Sequence, residues 1–270
     1  MKASAQKIPM VTAYDYTTAQ QADEAGIPLL LVGDSLGMVV LGYDSTIPVT
    51  IEQMLHHVKA VSRGTKYAMV VADLPFMSYQ IDEAQALFNA GRLIQEGGAQ
   101  SVKLEGGTKV AHIVRRIVDC GIPVMGHIGL TPQALHGLGG YRPQGLSTEE
   151  ASQIVQDSLA LEEAGAYAIV MELIPDRLSA LISQRLSIPT IGIGAGPQCD
   201  GQVQVAHDML GLYADFVPKH AKQYAKLGDV IREAFQQFAQ EVKEGTFPPE
   251  KESVAMDQAI LSQLEFSKAP

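Results

Sequence analysis

Residues Leu29–Ser35 read LLLVGDS, an apolar run that ends in an aspartate and a serine. Later stretches repeat this pattern, in which ionisable residues close an apolar run: VVADLP with Asp73, VKLEGG with Lys103 and Glu105, VMGHIG with His127, and VMELIP with Glu172. A segment of helical length follows each run. The alternation predicts parallel strands joined by helices, so that the ionisable residues meet at the carboxyl ends of the strands.

The whole chain contains eight such strand and helix units. The predicted strands are Met10–Tyr14, Leu29–Gly33, Ala68–Ala72, Ser101–Leu104, Val124–His127, Ala168–Glu172, Thr190–Gly194 and Asp215–Val217. The predicted helices are Thr17–Ala25, Ile51–Arg63, Ile81–Glu96, Lys109–Cys120, Thr148–Ala164, Arg177–Arg185, Val203–Leu210 and Tyr224–Lys243. Eight units close most simply into a single α/β (β/α)8 TIM barrel. An open doubly wound sheet is the alternative, although no glycine-rich phosphate-binding turn follows the first strand.

The barrel is predicted to have a C-terminal helical extension. We assign residues 1–245 to the (β/α)8 barrel as the catalytic domain and residues 246–270 to a tail, because two prolines after Gly245 end the preceding helix. A short amphipathic helix is predicted in the tail, with an apolar face formed by Val254, Met256, Ile260, Leu261 and Leu264. This face either docks on a neighbouring subunit or folds back on the barrel.

Composition narrows the class of protein. The 270 residues suit one barrel of roughly 250 residues, and the net charge of −10 argues against nucleic acid as a partner. No stretch has the length and hydrophobicity of a signal peptide or a membrane span, so we expect no membrane partner. The two cysteines, Cys120 and Cys199, match no metal-ligand spacing and are typical of free thiols in the cytoplasm.

Three acids from consecutive strands predict a metal site. Asp34, Asp73 and Glu105 end the second, third and fourth strands, and carboxylates that converge there repel one another unless a cation lies among them. Hard oxygen ligands suit Mg²⁺ or a similar ion. The alternative is that each acid caps the helix or turn that follows it. Two long loops at the same end, residues 36–50 and 131–147, are predicted to form a substrate pocket or lid.

Three further residues are candidates for binding and catalysis. Lys103 shares one face of its strand with Glu105 and could hold a substrate carboxylate or carbonyl oxygen, or form a structural ion pair. Glu172, flanked by apolar residues, is predicted to be the general base, and the alternative is an acid that caps a helix or forms an ion pair. His127 either donates a hydrogen bond to a substrate or ligand oxygen or is a satisfied core histidine.

Eight stretches together resemble the ketopantoate hydroxymethyltransferase family. They are TAYDYT, LLVGDSLGMVVLGYDSTIPVT, DLPFMSY, VKLEGG, GHIGLTPQ, GGYRPQG, IGIGAGPQCDGQVQVAHDMLG and FVPK, and they span Thr12 to Lys219. The resemblance implies a Mg²⁺-dependent barrel that transfers a one-carbon unit from 5,10-methylenetetrahydrofolate to 3-methyl-2-oxobutanoate. The product would be 2-dehydropantoate, in pantothenate biosynthesis, and the enzyme would be cytoplasmic.

The same resemblance implies roles for individual residues. Asp34, Asp73 and Glu105 would be the metal ligands, and Glu172 would be the proton acceptor. Ser35 and Lys103 would contact the 2-oxoacid, and we include Asp34, Asp73 and His127 in the substrate-binding set. The family forms ring-like homo-oligomers, frequently decamers, so copies of this chain are expected as partners.

Two other functions compete with this one. A C–C lyase of the phosphoenolpyruvate mutase and isocitrate lyase type also uses a barrel with strand-end acids around Mg²⁺. Lyases of that group tend to use a cysteine in a flexible loop, and neither cysteine here lies in a matching motif. A non-catalytic scaffold is the second competitor, and the intact set of ionisable residues argues against it.

Overall fold

The computed structural model describes residues 2–213 and 217–264 and confirms the predicted barrel. Eight parallel strands pair in chain order, and the last pairs with the first, so that the sheet closes on itself. The strands are β1 (Ile8–Thr12), β2 (Leu29–Val32), β3 (Met69–Asp73), β4 (Ser101–Glu105), β5 (Val124–Gly129), β6 (Ala168–Glu172), β7 (Thr190–Ile193) and β8 (Gly201–Gln204).

Helices surround the sheet and extend beyond it. They are α1 (Tyr16–Glu24), α2 (Leu36–Val39), α3 (Ile51–Gly64), α4 (Glu83–Gln95), α5 (Ala111–Asp119), α6 (Leu135–Leu138), α7 (Thr148–Glu163), α8 (Asp176–Arg185), α9 (Ala206–Met209), α10 (Leu227–Glu244) and α11 (Gln258–Leu261). Short 3-10 turns lie at Lys2–Ser4, Pro132–Ala134 and Glu250–Glu252. Among the described residues, no helix combines the length and the hydrophobicity needed to cross a membrane.

Local sequence explains where several helices begin and end. The side chains of Asp15 and Asp82 accept backbone N–H groups in the first turns of α1 and α4, which satisfies donors that the helix itself leaves free. The glycines that follow α1, α4, α5 and α7 have left-handed backbones with φ of 80–95°, a conformation that glycine adopts without strain.

The barrel wall separates two apolar layers. Alternate side chains of a strand point to opposite faces, so Val102 and Leu104 of β4 join the outer layer that packs against the helices. The inner layer is a separate cluster of strand residues: Ile8, Met10, Leu31, Val71, Met125, Ala168, Val170, Ile191 and Val203. This cluster fills the barrel and supports the polar residues at its mouth.

The prediction for the eighth strand was wrong. Asp215 and Phe216, in the predicted strand Asp215–Val217, lie outside the described residues, and the barrel closes earlier with β8 at Gly201–Gln204. No helix lies between β7 and β8, so the rule that helices alternate with strands failed here. The predicted helix Val203–Leu210 is also wrong at its start, because Val203 and Gln204 belong to β8. Gln202 is exposed between buried Gly201 and Val203, which is the alternation of a strand.

Helix α10 projects apolar side chains into solvent. None of its residues is buried. Its exposed apolar residues are Leu227, Val230, Ile231, Phe235, Phe238 and Val242. The helix predicted in the tail is present only as the four residues of α11, which are also exposed. Of the two alternatives for the tail, folding back on the barrel does not occur in the described residues.

Candidate active site

Five predicted side chains lie at inward positions near the carboxyl ends of neighbouring strands. Asp73 ends β3, Glu105 ends β4 and Glu172 ends β6. The strand register places Asp73 beside Lys103, and Glu105 beside His127. Period-two alternation along parallel strands therefore brings these side chains to one mouth, above the apolar filling of the barrel.

Asp34, Asp73 and Lys103 form one buried group. Lys103 Nζ lies 2.9 Å from Asp73 Oδ1, and the backbone N–H of Asp34 donates to Asp73 Oδ2 at 3.0 Å. No more than 4% of any of the three residues is exposed. The ion pair that the sequence left as an alternative for Lys103 is thus present. Removing one partner of a buried pair such as this typically lowers the stability of the folded protein by about 3–5 kcal/mol, because the other charge is left unpaired.

Negative charge is crowded in this group. Burial and the charges of Asp73 and Glu105 raise the pKa of the Asp34 carboxyl well above its usual value. Burial also raises the pKa of Asp73, although Lys103 opposes that shift. Burial lowers the pKa of the Lys103 ammonium, but the surrounding carboxylates outweigh burial and its pKa lies above the usual value. One ammonium therefore does not fully compensate the acids around it.

His127 links two carboxylates from opposite sides. Its Nδ1 lies 3.4 Å from Glu105 Oε1, and its Nε2 lies 3.2 Å from Glu172 Oε2. Burial and the nearby Lys103 lower the pKa of His127, but the contacts with Glu105 and Glu172 outweigh both and raise it to about 9. These contacts favour the charged form of His127 beside Glu172, an ion pair that neither sequence-based interpretation of His127 included.

The surroundings of Glu172 differ from those its sequence context predicted. Met171 packs in the outer layer and does not line the carboxylate, which faces His127 and keeps 16% of its side chain exposed. Leu173 has a left-handed backbone with φ of 48°, a strained conformation for a branched residue. Backbone hydrogen bonds with Ile193 and Gln144, both of 2.9 Å, hold it there.

The helix-capping alternative is wrong for Asp34 and Asp73. Helix α2 begins after Ser35 without a side-chain cap, while Asp34 Oδ2 accepts the side-chain amide of Gln133. Asp73 receives the N–H of Asp34 and the ammonium of Lys103. Both acids therefore face other residues of the mouth rather than the start of a helix.

The two long loops meet over the mouth. The hydroxyl of Tyr141, from the loop after β5, lies 3.6 Å from the sulfur of Met38, after β2. Partial burial, followed by the charges of Glu172, Asp34 and Glu105, raises the pKa of Tyr141. The contact of the half-exposed Tyr141 with Met38 joins the two loops, as expected of loops that form a pocket or lid.

Sequence reasoning missed three polar residues of the site. Gln133 and Tyr79 are buried and hydrogen-bonded to each other at 2.9 Å, and Tyr14 OH lies 2.8 Å from Ser35 Oγ. All three stand in stretches that carry the family resemblance, TAYDYT, DLPFMSY and GHIGLTPQ. Spacing alone gave no sign of their contacts, because these join loops that are far apart in the chain.

The acids suit a hard divalent cation, although no complete cage is built. Within residues 2–213 and 217–264, no group of three or more His, Cys, Asp or Glu side chains is arranged to hold a metal ion as it stands. Mg²⁺ commonly binds one or two protein carboxylates together with water and substrate oxygens. Asp34 and Asp73, which are adjacent and have raised pKa values, fit that pattern, and a cation there would relieve their repulsion.

Comparison with known proteins identifies the family. The family model described as ketopantoate hydroxymethyltransferase matches residues 1–250. The chain belongs to the ketopantoate hydroxymethyltransferase family. It is therefore a transferase, as the resemblance implied, and the family membership argues against a non-catalytic scaffold.

Relatives of this hydroxymethyltransferase family member are similar along nearly the whole chain. A 3-methyl-2-oxobutanoate hydroxymethyltransferase from Dehalococcoides mccartyi is 60% identical over 98% of this chain and 95% of its own length. A protein of the same name from Carboxydothermus hydrogenoformans is 59% identical over 98% of this chain and 96% of its own length.

Solved structures of other enzymes share the barrel. Phosphonopyruvate hydrolase superposes with a TM-score of 0.62 at 12% identity, covering 96% of this chain and 90% of its own. The structure of 2,3-dimethylmalate lyase, from the phosphoenolpyruvate mutase and isocitrate lyase superfamily, gives a TM-score of 0.59 at 15% identity, covering 97% and 90%. At this identity the likeness shows the fold alone. The competing lyase function therefore shares the architecture of this hydroxymethyltransferase family member but not its family.

Proposed function

We propose that the chain transfers a hydroxymethyl group from 5,10-methylenetetrahydrofolate to 3-methyl-2-oxobutanoate, giving 2-dehydropantoate for pantothenate biosynthesis in the cytoplasm. The name shared by its relatives supports this acceptor. The observation that carries the proposal is the placement of Glu172. Its carboxylate is partly open to the mouth and held by His127, at the same rim as the buried Lys103.

Lys103 and Ser35 would bind the oxoacid. The ammonium of Lys103, which is paired with Asp73, would contact the substrate carboxylate once a bound cation offsets the charge of the acids. Ser35, beside Tyr14, offers a hydroxyl at the end of β2. These two residues would orient the oxoacid so that its C3 hydrogen faces β6.

Glu172 would then take the proton from C3. The C–H bond breaks, its electron pair remains on the oxoacid as an enolate, and the proton moves to the Glu172 carboxylate. Water adds to the methylene carbon of the folate donor, and its two protons pass to the two nitrogens as both C–N bonds break, which leaves tetrahydrofolate and a one-carbon unit at the oxidation level of formaldehyde. The enolate carbon attacks this unit, and its oxygen takes the proton from Glu172 and becomes the hydroxyl of the product. His127, as a cation in contact with Glu172, would keep the carboxylate oriented between turnovers.

Asp34, Asp73 and Glu105 would hold Mg²⁺. The ion would supply positive charge for the carboxylate and keto oxygens of the oxoacid, which stabilises negative charge that develops on enolisation. Burial and the neighbouring acids raise the pKa values of Asp34 and Asp73. A cation bound between these carboxylates would relieve their repulsion.

Copies of this chain are the proposed protein partners, in a homo-oligomer such as a decamer. Six apolar side chains of α10 are exposed in the single chain. Burying one such side chain stabilises a protein by about 1.5–3 kcal/mol, and an exposed apolar surface of this kind marks an interaction site. The net charge of −10 disfavours nucleic acid as a partner.

The test is hydrogen exchange without the folate donor. We expect the C3 hydrogen of 3-methyl-2-oxobutanoate to exchange in D₂O, followed by proton NMR, only when the protein and Mg²⁺ are both present. Glu172→Gln is expected to abolish exchange while the oxoacid still binds in calorimetry, because the amide cannot accept the proton. Glu149→Gln, on the exposed first turn of α7, is the matched control and should exchange normally.

Exchange at the wild-type rate in Glu172→Gln would remove Glu172 from the role of base. No exchange in the wild-type protein would contradict the proposed acceptor chemistry.

A further inference from the structure

We propose that Gln133 is a positioning residue that fixes the carboxylates of Asp34 and Glu105, an inference that rests on the metal-binding role proposed for these acids. Gln133 lies in the short turn Pro132–Ala134 after β5 and is only 5% exposed. It bonds to both acids, one through its side chain and one through its backbone.

The side-chain amide of Gln133 holds Asp34 in one orientation. Nε2 donates to Asp34 Oδ2 at 2.8 Å and to the carbonyl oxygen of Leu74 at 3.0 Å. A carbonyl oxygen can only accept a hydrogen bond, so the atom that faces Leu74 must be the NH₂ group. Asp34 Oδ2 therefore always faces a donor, and the amide cannot be reversed without placing two acceptors against each other.

The opposite end of the amide is fixed as well. Gln133 Oε1 accepts from Gln80 Nε2 at 3.2 Å and lies 2.9 Å from Tyr79 OH, whose one proton is shared with the Glu105 carbonyl oxygen at 3.0 Å. Tyr79 OH in turn accepts the backbone N–H of Glu105 at 3.1 Å. Rotation of the Gln133 side chain would leave several buried polar groups unpaired, and an unpaired buried group is costly.

The backbone of Gln133 holds the second acid. Its N–H donates to Glu105 Oε2 at 3.0 Å, so one residue spans Asp34 after β2 and Glu105 at the end of β4. In the described part of the chain, Asp34 Oδ1 has no hydrogen-bond or ion-pair partner. Gln133 thus occupies one oxygen of Asp34 and leaves the other to face a ligand.

Gln133 thus orients the carboxylates that are proposed to bind the metal. Residues that orient ligating carboxylates typically change metal affinity by about 10–100-fold when they are replaced. Gln133 contacts Oδ2 of Asp34 and Oε2 of Glu105 as a hydrogen-bond donor, so it acts through the acids and is not itself a ligand. Its contribution should disappear when Asp34 is removed.

The experiment is a double-mutant cycle read by calorimetric titration of the metal-free protein with MgCl₂. Gln133→Met keeps the size of the side chain but removes its hydrogen bonds, and we expect it to weaken Mg²⁺ binding by about tenfold or more. In an Asp34→Ala background, the same change should alter affinity by less than about twofold, because interacting residues are not additive. Equal factors in the two backgrounds would show a general structural effect and overturn the inference.

Two further variants guard against a loss of folding. Asn89→Leu removes another buried amide, whose Nδ2 donates to Ser78 O at 2.7 Å outside the acid cluster, and its Mg²⁺ affinity should match the wild type. Tyr79→Phe removes the hydroxyl that contacts both Gln133 Oε1 and the Glu105 backbone but leaves Asp34 untouched, so a smaller weakening is expected if Gln133→Met does not fold. An unchanged affinity in Tyr79→Phe would then overturn the inference. If the wild type and Gln133→Met bind Mg²⁺ with equal affinity, only this inference fails. If the wild type binds no Mg²⁺, the proposed metal site fails as well.

Discussion

The mouth of the barrel and helix α10 differ in whether their side chains have partners within the chain. At the mouth, buried carboxylates already pair with Lys103, His127 or Gln133, all from the same chain. On α10, Phe235 is 69% exposed and Phe238 is 53% exposed.

This difference shows which side chains find partners within one chain and which do not. Polar groups at the mouth find partners within the chain because eight strand ends and their loops converge on one place. An amphipathic helix that lies outside the wall has no such convergence, so its apolar face is left for another surface. The comparison therefore predicts that changes to α10 affect assembly, whereas changes at the mouth affect ligand binding and protonation.

The largest effect should come from placing charges on the apolar face of α10. Phe235→Glu combined with Phe238→Glu should convert an oligomer into monomers, because a buried unpaired charge costs several kcal/mol. Light scattering coupled to gel filtration measures the mass. Gln236→Glu with Gln240→Glu adds the same charge to the opposite side of the helix and should leave the mass unchanged. An unchanged mass in the phenylalanine variant would contradict the role of α10 in assembly.

A smaller effect is expected for the metal-binding acids. Asp34→Ala and Asp73→Ala should each weaken Mg²⁺ binding by about tenfold or more, since each removes a carboxylate from the proposed site. Calorimetric titration of the metal-free variants provides the measurement. Asp15→Ala, which removes an exposed helix cap near the end of β1, should bind Mg²⁺ as the wild type does. Normal titration of both site variants would exclude them as ligands.

The smallest effect concerns the protonation of His127. Because the fold raises its pKa from 6.5 to about 9, the charged form stabilises the folded state. That stabilisation is complete below pH 6.5 and is lost as the pH rises through about 9. The stability difference between wild type and His127→Gln in urea unfolding should fall over this range. NMR of the metal-free protein should show His127 titrating near pH 9, with a lower pKa in Glu172→Gln; titration near 6.5 would contradict the geometry.

The sequence predicted where most side chains of the candidate site lie, because that information is local. Period-two alternation within β4 determines that Lys103 and Glu105 share a face, and parallel strands place Asp73 and His127 beside them. The same reasoning failed at β8, since the turn from β7 contains no helix. It also misjudged Glu172, because Met171 beside it in sequence points to the other side of the wall.

By itself, the sequence determined the barrel, the family and the inward register of the ionisable residues, since each depends on periodicity or on motifs within short stretches. Tertiary structure alone decided which partners those residues have. The bonds of Gln133 to Asp34 and Glu105 join residues that are 99 and 28 positions apart. No periodicity encodes such contacts, because they depend on how loops from different strands pack once the barrel has closed.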